Sequence, residues 1–498
     1  MPKFVILWTD LALFALVFLV VVYAWRVSRS ESARATWIKV LQRAPAMCSA
    51  VILSFFVVVA LLDSVHFQPR LPAASGQATS QAVVYSPKVV SLLDYLLQDT
   101  ALLHKEKTYS APLAWQQFTK ESILQEGGAT VRDFPRLRFG GSHLDDPQTQ
   151  WLGDVLWRGS IGAVVGIAAG LIITLAVTAL IRRSRFRRAR APMVESFGAV
   201  WCSLWRGHSD IPWRAMFLTT LIMALIMGVT FGLASGYHVL GTDRTGNDVL
   251  WQALKSIRTA WVIGSLTTVA MLPPAIIFGL AAGYFRGWID DVIQYIYTTL
   301  TSIPGVLLIA ACVLMMQVYI DTNANLFPTS EQRADLRLFL LCMILGLTGW
   351  AGLCRLLRAE VMKLRELEYV QAARAFGVSH VRIMAKHLLP NVMHIILITL
   401  VLEFSGLVLY EAVLSYLGIG VDPTMNSFGT MIDKSRMEMS RDPMIWWNLL
   451  AAFVFMLTMV LAANLFADGV REAFDPRSRS LRAGLFRRRR HLAAQEGQ

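Results

Sequence analysis

The sequence predicts an all-α integral membrane protein of about nine transmembrane helices, with three spaced helices and an extracytoplasmic insertion ahead of six closely spaced ones. Three observations predict it. The 498 residues are 55% hydrophobic and 16% charged, with a mean hydropathy of +0.50, outside the profile of soluble globular chains. Several apolar stretches approach the roughly 20 residues that a helix needs to cross about 30 Å of hydrocarbon, where lipid offers the backbone no hydrogen-bond partner. Basic residues gather beside those stretches at alternate ends, the pattern of cytoplasmic loops.

The expected spans are 4–25, 47–65, 160–181, 214–235, 259–283, 290–318, 337–357, 393–418 and 446–467. The first is long and aromatic, lacks a small-residue cleavage site, and is followed rather than preceded by Arg26 and Arg29, so it is read as retained. Arg26, Arg29, Arg34, Lys39 and Arg43 lie between the first two spans, Arg182 to Arg190 follow the third, and Arg487 to Arg490 lie near the C-terminus. An odd number of spans with the N-terminus outside and the C-terminus cytoplasmic places all three clusters on one side. Such loops account for the net charge of +13, and nucleic acid is not expected as a partner. Cys48, Cys202, Cys312, Cys342 and Cys354 fall in spans or cytoplasmic segments, without a disulfide framework or a CxxC metal site.

Composition divides the chain into two N-terminal helices (1–65), an extracytoplasmic loop or small domain (66–159), a third helix with a basic linker (160–213), a six-span core (214–477) and a basic tail (478–498). Residues 71–81 are rich in Gly, Ser, Pro and Gln, and Val89–Leu103 reads as helical. Asp154-Val155-Leu156-Trp157 before the third span echoes Asp248-Val249-Leu250-Trp251 before the fifth, too short a match to establish a duplication.

The most informative segment lies in the loop 358–391. Glu368-Tyr369-Val370-Gln371-Ala372-Ala373-Arg374-Ala375-Phe376-Gly377 leads to Leu388-Leu389-Pro390-Asn391. Ala372, Ala373, Ala375 and Phe376 give a short helix a small apolar face that a partner can approach closely, and Gly377 permits a tight turn. Here the sequence resembles the signature loop of ATP-binding cassette importer permeases: Glu-Ala-Ala, three residues, Gly, nine residues, Ile-x-Leu-Pro. Gln371, Ala372, Ala373, Gly377, Leu389 and Pro390 occupy those places; Gln371 replaces the acidic residue and His387 the isoleucine.

Three further runs resemble the second permease subunit of dipeptide and oligopeptide importers: His238 to Asp248 containing Gly241-Thr242-Asp243, Glu411 to Pro423 followed by Ser427-Phe428-Gly429, and Asp468 to Arg477. Asn247 stands where that family has arginine. The resemblance covers about residues 237–477 and leaves the first 213 residues outside it. It implies a six-helix importer-type permease core that forms half of a pathway for peptides. It also implies a homologous permease subunit as heterodimer partner, two ATPase subunits that engage the coupling loop and hold the ATP and magnesium, and an extracytoplasmic solute-binding protein. The setting is the bacterial inner membrane. Related permeases carry nickel chelates, opines, antimicrobial peptides or peptide antibiotics, so a non-peptide solute is the alternative substrate, and a membrane sensor or enzyme the alternative class.

No Gly-x-x-x-x-Gly-Lys-[Ser/Thr] phosphate loop, His-Glu-x-x-His motif or Ser/His/Asp constellation is present. The chain is therefore expected to be no enzyme, with no catalytic residue, metal ligand or cofactor of its own. Gly241, Thr242, Asp243 and Asp248 form a glycine-punctuated polar turn that reads equally well as an outer docking site or as a capped helix start. Pro273-Pro274 and Pro304-Gly305 fall inside expected spans, where proline removes backbone hydrogen bonds and permits kinks. Glu403 and Glu411 lie in the eighth span, where a carboxylate is expensive and usually faces water or the bundle interior. Glu403 and Pro304 are the candidates for the pathway; Glu411 lies nearer the outer interface or caps the next turn.

Overall fold

The computed structural model describes residues 3–70, 85–86, 89–124, 130–188, 196–207, 209–323 and 329–474. The basic tail at 478–498, Asp475 to Arg477 and the polar stretch 71–81 lie outside the described residues.

The chain begins with β1 (Lys3–Val5), α1 (Trp8–Arg29), α2 (Glu31–Leu41) and α3 (Ala44–Asp63). β2 (His66–Gln68) pairs antiparallel with β1, Val5 opposite His66, and with β3 (Val90–Ser91). This small sheet puts the start of α1 and the end of α3 at one end of the molecule, the cap end. Ser91 then opens α4 (Leu92–Leu96) through a reciprocal capping box with Asp94. A hairpin of β4 (Glu121–Leu124) and β5 (Thr130–Asp133) completes the cap. Next come α5 (Pro147–Arg188), α6 (Phe197–Trp205) and α7 (Trp213–Ala234), then α8 (Val249–Phe285), α9 (Trp288–Ser302), α10 (Gly305–Thr322), α11 (Ser330–Gly349) and α12 (Ala351–Leu364). The last stretch holds α13 (Glu368–Ala375), α14 (His380–Ile383), α15 (Leu389–Tyr416), α16 (Phe428–Met439) and α17 (Trp447–Phe474).

Nine helical stretches among the described residues are long and apolar enough to cross a membrane: Trp8–Arg29, Ala44–Asp63, Pro147–Arg183, Trp213–Ala234, Val249–Phe285, Gly305–Thr322, Ser330–Leu364, His380–Tyr416 and Trp447–Phe474. At 1.5 Å per residue the 37-residue α8 is about 55 Å long, well beyond the roughly 30 Å hydrocarbon layer. It links two buried clusters. Near the cap end its residues Val249 to Ala260 pack with Phe56 and Val59 of α3 and Trp447 to Val460 of α17. Towards the opposite end Met271 to Tyr284 pack with Tyr297 of α9, Leu357 of α12 and Ile396 of α15.

Two expectations change. The span expected at 290–318 is two helices, α9 and α10, separated at Ile303 and Pro304. A proline pushes the preceding residue into extended backbone, and Ile303 sits at φ −85°, ψ 131°. Pro304 therefore ends one helix and starts the next, whereas α8 runs without interruption across Pro273 and Pro274.

The division expected at residue 213 also moves. The helix that packs among α8 and α17 is α3, while α7 runs along α5 and meets the rest of the bundle through α3. Gly162, Gly166 and Gly170 on α5 face Leu221, Ala224, Gly228 and Gly232 on α7, and a Cβ added to Gly228 would lie 2.6 Å from the Gly166 Cα. Small residues at every fourth position let two membrane helices touch backbone to backbone. The pair forms a hairpin beside the bundle.

Candidate coupling segment and translocation path

The segment between α12 and α15 is built on one buried anchor. Val370 of α13 is 2% exposed and joins the lower cluster, with Ala373 and Val378 packed beside it. Gly377, at φ +72°, ends α13: its N–H donates to the Arg374 carbonyl and that of Val378 to the Ala373 carbonyl, 3.1 Å each. This is the paired 5→2 and 6→1 closure that favours glycine at the left-handed position. Ala372, Ala375 and Phe376 point away, with Phe376 86% exposed. The small apolar face expected at 372, 373, 375 and 376 is thus divided, since Ala373 faces inward. Gln371 is exposed and donates to the Glu366 carbonyl at 3.1 Å.

Long helices brace this segment. Tyr284 at the end of α8 meets His380 Nδ1 through its hydroxyl at 2.8 Å, and its carbonyl accepts from Arg365 at 2.6 Å. Arg358 of α12 makes a two-pronged pair with Asp290 of α9 at 2.5 and 2.7 Å, the planar geometry that makes such pairs strong. A single π-helical turn, Met384–Leu388, precedes Leu389 and Pro390 in the first turn of α15. Proline has no N–H to donate and clashes with the carbonyl four residues back, so the wider turn absorbs it.

Glu403 is exposed on α15 and has no hydrogen bond or ion pair among the described residues. Gly406, Leu409, Val413 and Tyr416 of α15 are exposed as well. Seven residues after Glu403, Tyr410 turns its hydroxyl towards Gly305, 3.5 Å from where a Cβ would stand. The break at Ile303–Pro304 is exposed too, so α15 passes the interruption at Tyr410, about two turns from Glu403. Glu411 is 1% exposed and accepts from Ser415 Oγ at 2.7 Å. Ser415 Oγ in turn accepts from the Val421 N–H at 3.3 Å, so Glu411 fastens the turn after α15.

The polar turn at 241–248 is corrected as a docking surface: Gly241, Thr242, Asp243 and Asp248 are all buried, under the chain's own residues 106–118. Thr242 and Ser110 exchange bonds at 2.7 and 3.1 Å, and the Glu106 N–H donates to the Gly246 carbonyl at 2.9 Å. A Cβ on Gly241 or Gly246 would strike the carbonyl of Ser110 or Glu106. Asp248 caps α8, accepting from the Trp251 N–H at 3.0 Å and contacting His238 Nδ1 at 2.7 Å.

Charge holds this joint as well. Burial would raise the Glu106 carboxyl, but His238 and the backbone N–H groups of Arg138, Phe139 and Gly140 bring it down to about 2. Burial would likewise lower His238, but the Asp248 and Glu106 carboxylates outweigh it and raise the imidazole to about 9. Hydrogen bonds to the charged form are the cause in both, joined at His238 by the two nearby negative charges.

A polar cluster escaped the sequence reading. Arg258 of α8 pairs with Asp10 of α1 at 2.5 Å and lies 3.6 Å from Asp335 of α11. Three residues earlier, Lys255 pairs with Asp63 and Asp94, 2.7 Å each. His66 Nδ1 meets the other oxygen of Asp10 at 2.7 Å. Asp10 inside an apolar run was the available signal, since a charge at membrane depth asks for a partner. Among the described residues no group of His, Cys, Asp and Glu could hold a metal ion, and all five cysteines are free.

Residues 275–480 match the family model described as binding-protein-dependent transport system inner membrane component. The chain is 35% identical over 248 residues to an oligopeptide transport system permease protein of Mycobacterium tuberculosis, covering 50% of this chain and 79% of the relative. Its counterpart in Haemophilus influenzae is 30% identical over 244 residues, 49% and 72% of the two chains. A dipeptide transport system permease protein of Bacillus subtilis is 28% identical over 245 residues, 49% and 70%. With its multi-pass helical bundle, this chain belongs to the family of inner-membrane permease components of binding-protein-dependent transport systems.

Proposed function

We propose that the chain forms half of the membrane pathway of an importer for peptides, pairing with a homologous permease subunit and driven by two ATP-binding cassette ATPases. The observation that carries this is the segment around Gly377: a helix anchored by Val370, closed by a left-handed glycine, presenting Ala372, Ala375 and Phe376 to a partner while tied to α8, α12 and α15. The peptide substrate is taken from relatives that are oligopeptide and dipeptide permeases.

The orientation proposed puts the N-terminus and the cap outside and the coupling segment and C-terminus in the cytoplasm, in keeping with Arg34, Lys39, Arg43 and Arg182 at the inner ends of their helices. ATP and magnesium act on the partner ATPases, and this chain contributes force transmission and the path itself. Gln371, Ala372, Ala373, Gly377, Leu389 and Pro390 form the coupling element; Glu403 and Pro304 lie on the path. A solute-binding protein docks on the exposed surface of the cap and α16. Closure of the ATPases moves α13 and, through the Tyr284 and Arg365 contacts, the long helices.

The test is uptake of labelled di-, tri- and longer peptides by the host, comparing the parent with a Gly377→Asp strain and verifying the protein in the membrane. Loss of uptake of a peptide class supports the reading, and undiminished uptake of every class overturns it.

A further inference from the structure

Resting on the peptide reading, we infer that the exposed face of α15 is a two-pole peptide site: Glu403 receives the amino terminus and Arg436 of α16 the carboxyl terminus.

Leu402, Gly406, Leu409, Val413 and Tyr416 recur at intervals of three and four along α15 and are all exposed. They make one continuous stripe, and Glu403 lies beside it, roughly 60° round the helix from Gly406 and about 140° from Tyr416. A carboxylate on a face turned to lipid is costly, so an ionisable residue there points to water or to a partner of opposite charge. Glu403 finds none within the described residues. At the other end of the stripe the Arg436 guanidinium lies 5.6 Å from the centre of the Tyr416 ring, close enough for a cation–π contact. It too has no ion pair among the described residues. Between the poles the stripe carries aliphatic side chains and one glycine, and Met437 beyond it is 69% exposed. Such a surface accepts varied side chains, methionine being the most adaptable of them, while the two charges read only what all linear peptides share.

The spacing sets a length. Thirteen residues separate Glu403 from Tyr416, a rise of about 20 Å. An extended peptide covers at most about 3.3–3.6 Å per residue. A peptide of at least about six residues is needed to span both poles, because the path also turns about 140° around α15, and a dipeptide engages one at a time. Complementary charges at fixed separation thus favour a zwitterion of that length, entering amino end first.

The experiment measures uptake by the intact importer in its host, using hexapeptides of one sequence with free ends, an acetylated amino end or an amidated carboxyl end. The alleles are parent, Glu403→Gln, Arg436→Gln, a strain without this chain, and Glu403→Asp and Arg436→Lys as charge-retaining controls. One charge-assisted contact corresponds to about a tenfold preference. The parent should prefer the free-ended peptide by about tenfold over either blocked form. Glu403→Gln should erase discrimination against the acetylated peptide only, Arg436→Gln against the amidated peptide only, and the charge-retaining variants should keep both. Parent uptake with unchanged end preferences in the Gln variants overturns the two-pole site and leaves the peptide reading standing. Equal peptide uptake by the parent and the strain without this chain overturns the peptide reading and this inference together.

Discussion

Arg258 on α8 holds the Asp10 carboxylate of α1 at 2.5 Å, with both side chains almost wholly buried. The pair joins the outermost N-terminal helix to the longest helix of the bundle, and Asp335 and Ser64 close around it. Breaking such a pair from one side leaves the remaining charge without compensation, at about 3–5 kcal/mol. Arg258→Met should lower the melting temperature of the purified complex sharply. Arg258→Met combined with Asp10→Asn and Asp335→Asn should recover much of that loss, because no orphan charge remains. Thermal unfolding in lipid nanodiscs measures both.

The cap joint should depend on pH with a defined window. Glu106 is depressed from 4.5 to about 2, so its contribution is present above about pH 4.5 and is lost as pH falls through about 2. His238 is raised from 6.5 to about 9, so its contribution is full below about pH 6.5 and fades as pH rises through about 9. Amide exchange at residues 106–118 should be slowest between about pH 4.5 and 6.5, after correction for intrinsic rates. His238→Gln should remove the alkaline limb and leave a weaker acid one, held by the backbone N–H groups of Arg138, Phe139 and Gly140.

At Gly377 the left-handed backbone costs a non-glycine residue about 1 kcal/mol, and nothing lies within 4 Å of a Cβ placed there. Gly377→Asp should therefore leave the bundle folded and the protein at parental levels in the membrane while uptake falls to background. Phe376→Ala removes a side chain that is 86% exposed, so stability should stay within about 0.5 kcal/mol while uptake drops. Quantitative blotting beside transport assays separates the two effects.

The α5–α7 hairpin should be dispensable for folding where α3 is not. The Gly141 N–H donates to the Gly236 carbonyl at 2.8 Å, so the chain can be rejoined across the hairpin. Replacing residues 145–234 by a short glycine linker should leave a protein that inserts and resists proteolysis. Removing residues 1–200 takes α3 out from between α8 and α17, and that protein should not accumulate.

Much of this was legible along the chain because lipid imposes a simple rule: a spanning segment must satisfy its own backbone bonds, so it shows itself as an apolar run of sufficient length. The segment around Gly377 was legible for another local reason, since a helix closed by glycine needs only neighbours in sequence. Pro304 was visible too, yet whether it kinks a helix or divides it depends on what surrounds Ile303. Glu403 stood out as a charge in an apolar run, whereas the significance of Arg436 required Tyr416, twenty residues away, to lie under it.

The sequence by itself determined where the apolar helices lie, apart from the break at Pro304, and the turn at Gly377, because these follow from hydropathy and backbone preference within a few residues. Only the tertiary structure decided that α3 rather than α7 stands in the bundle, that the turn at 241–248 is covered by residues 106–118, and that Asp10, Asp63, Asp94 and Asp335 converge on Lys255 and Arg258. The physical reason is that apolar helices look alike to water: which of them touch is set by the steric fit of glycine against backbone and by pairing of buried charges, and both join residues far apart in the chain.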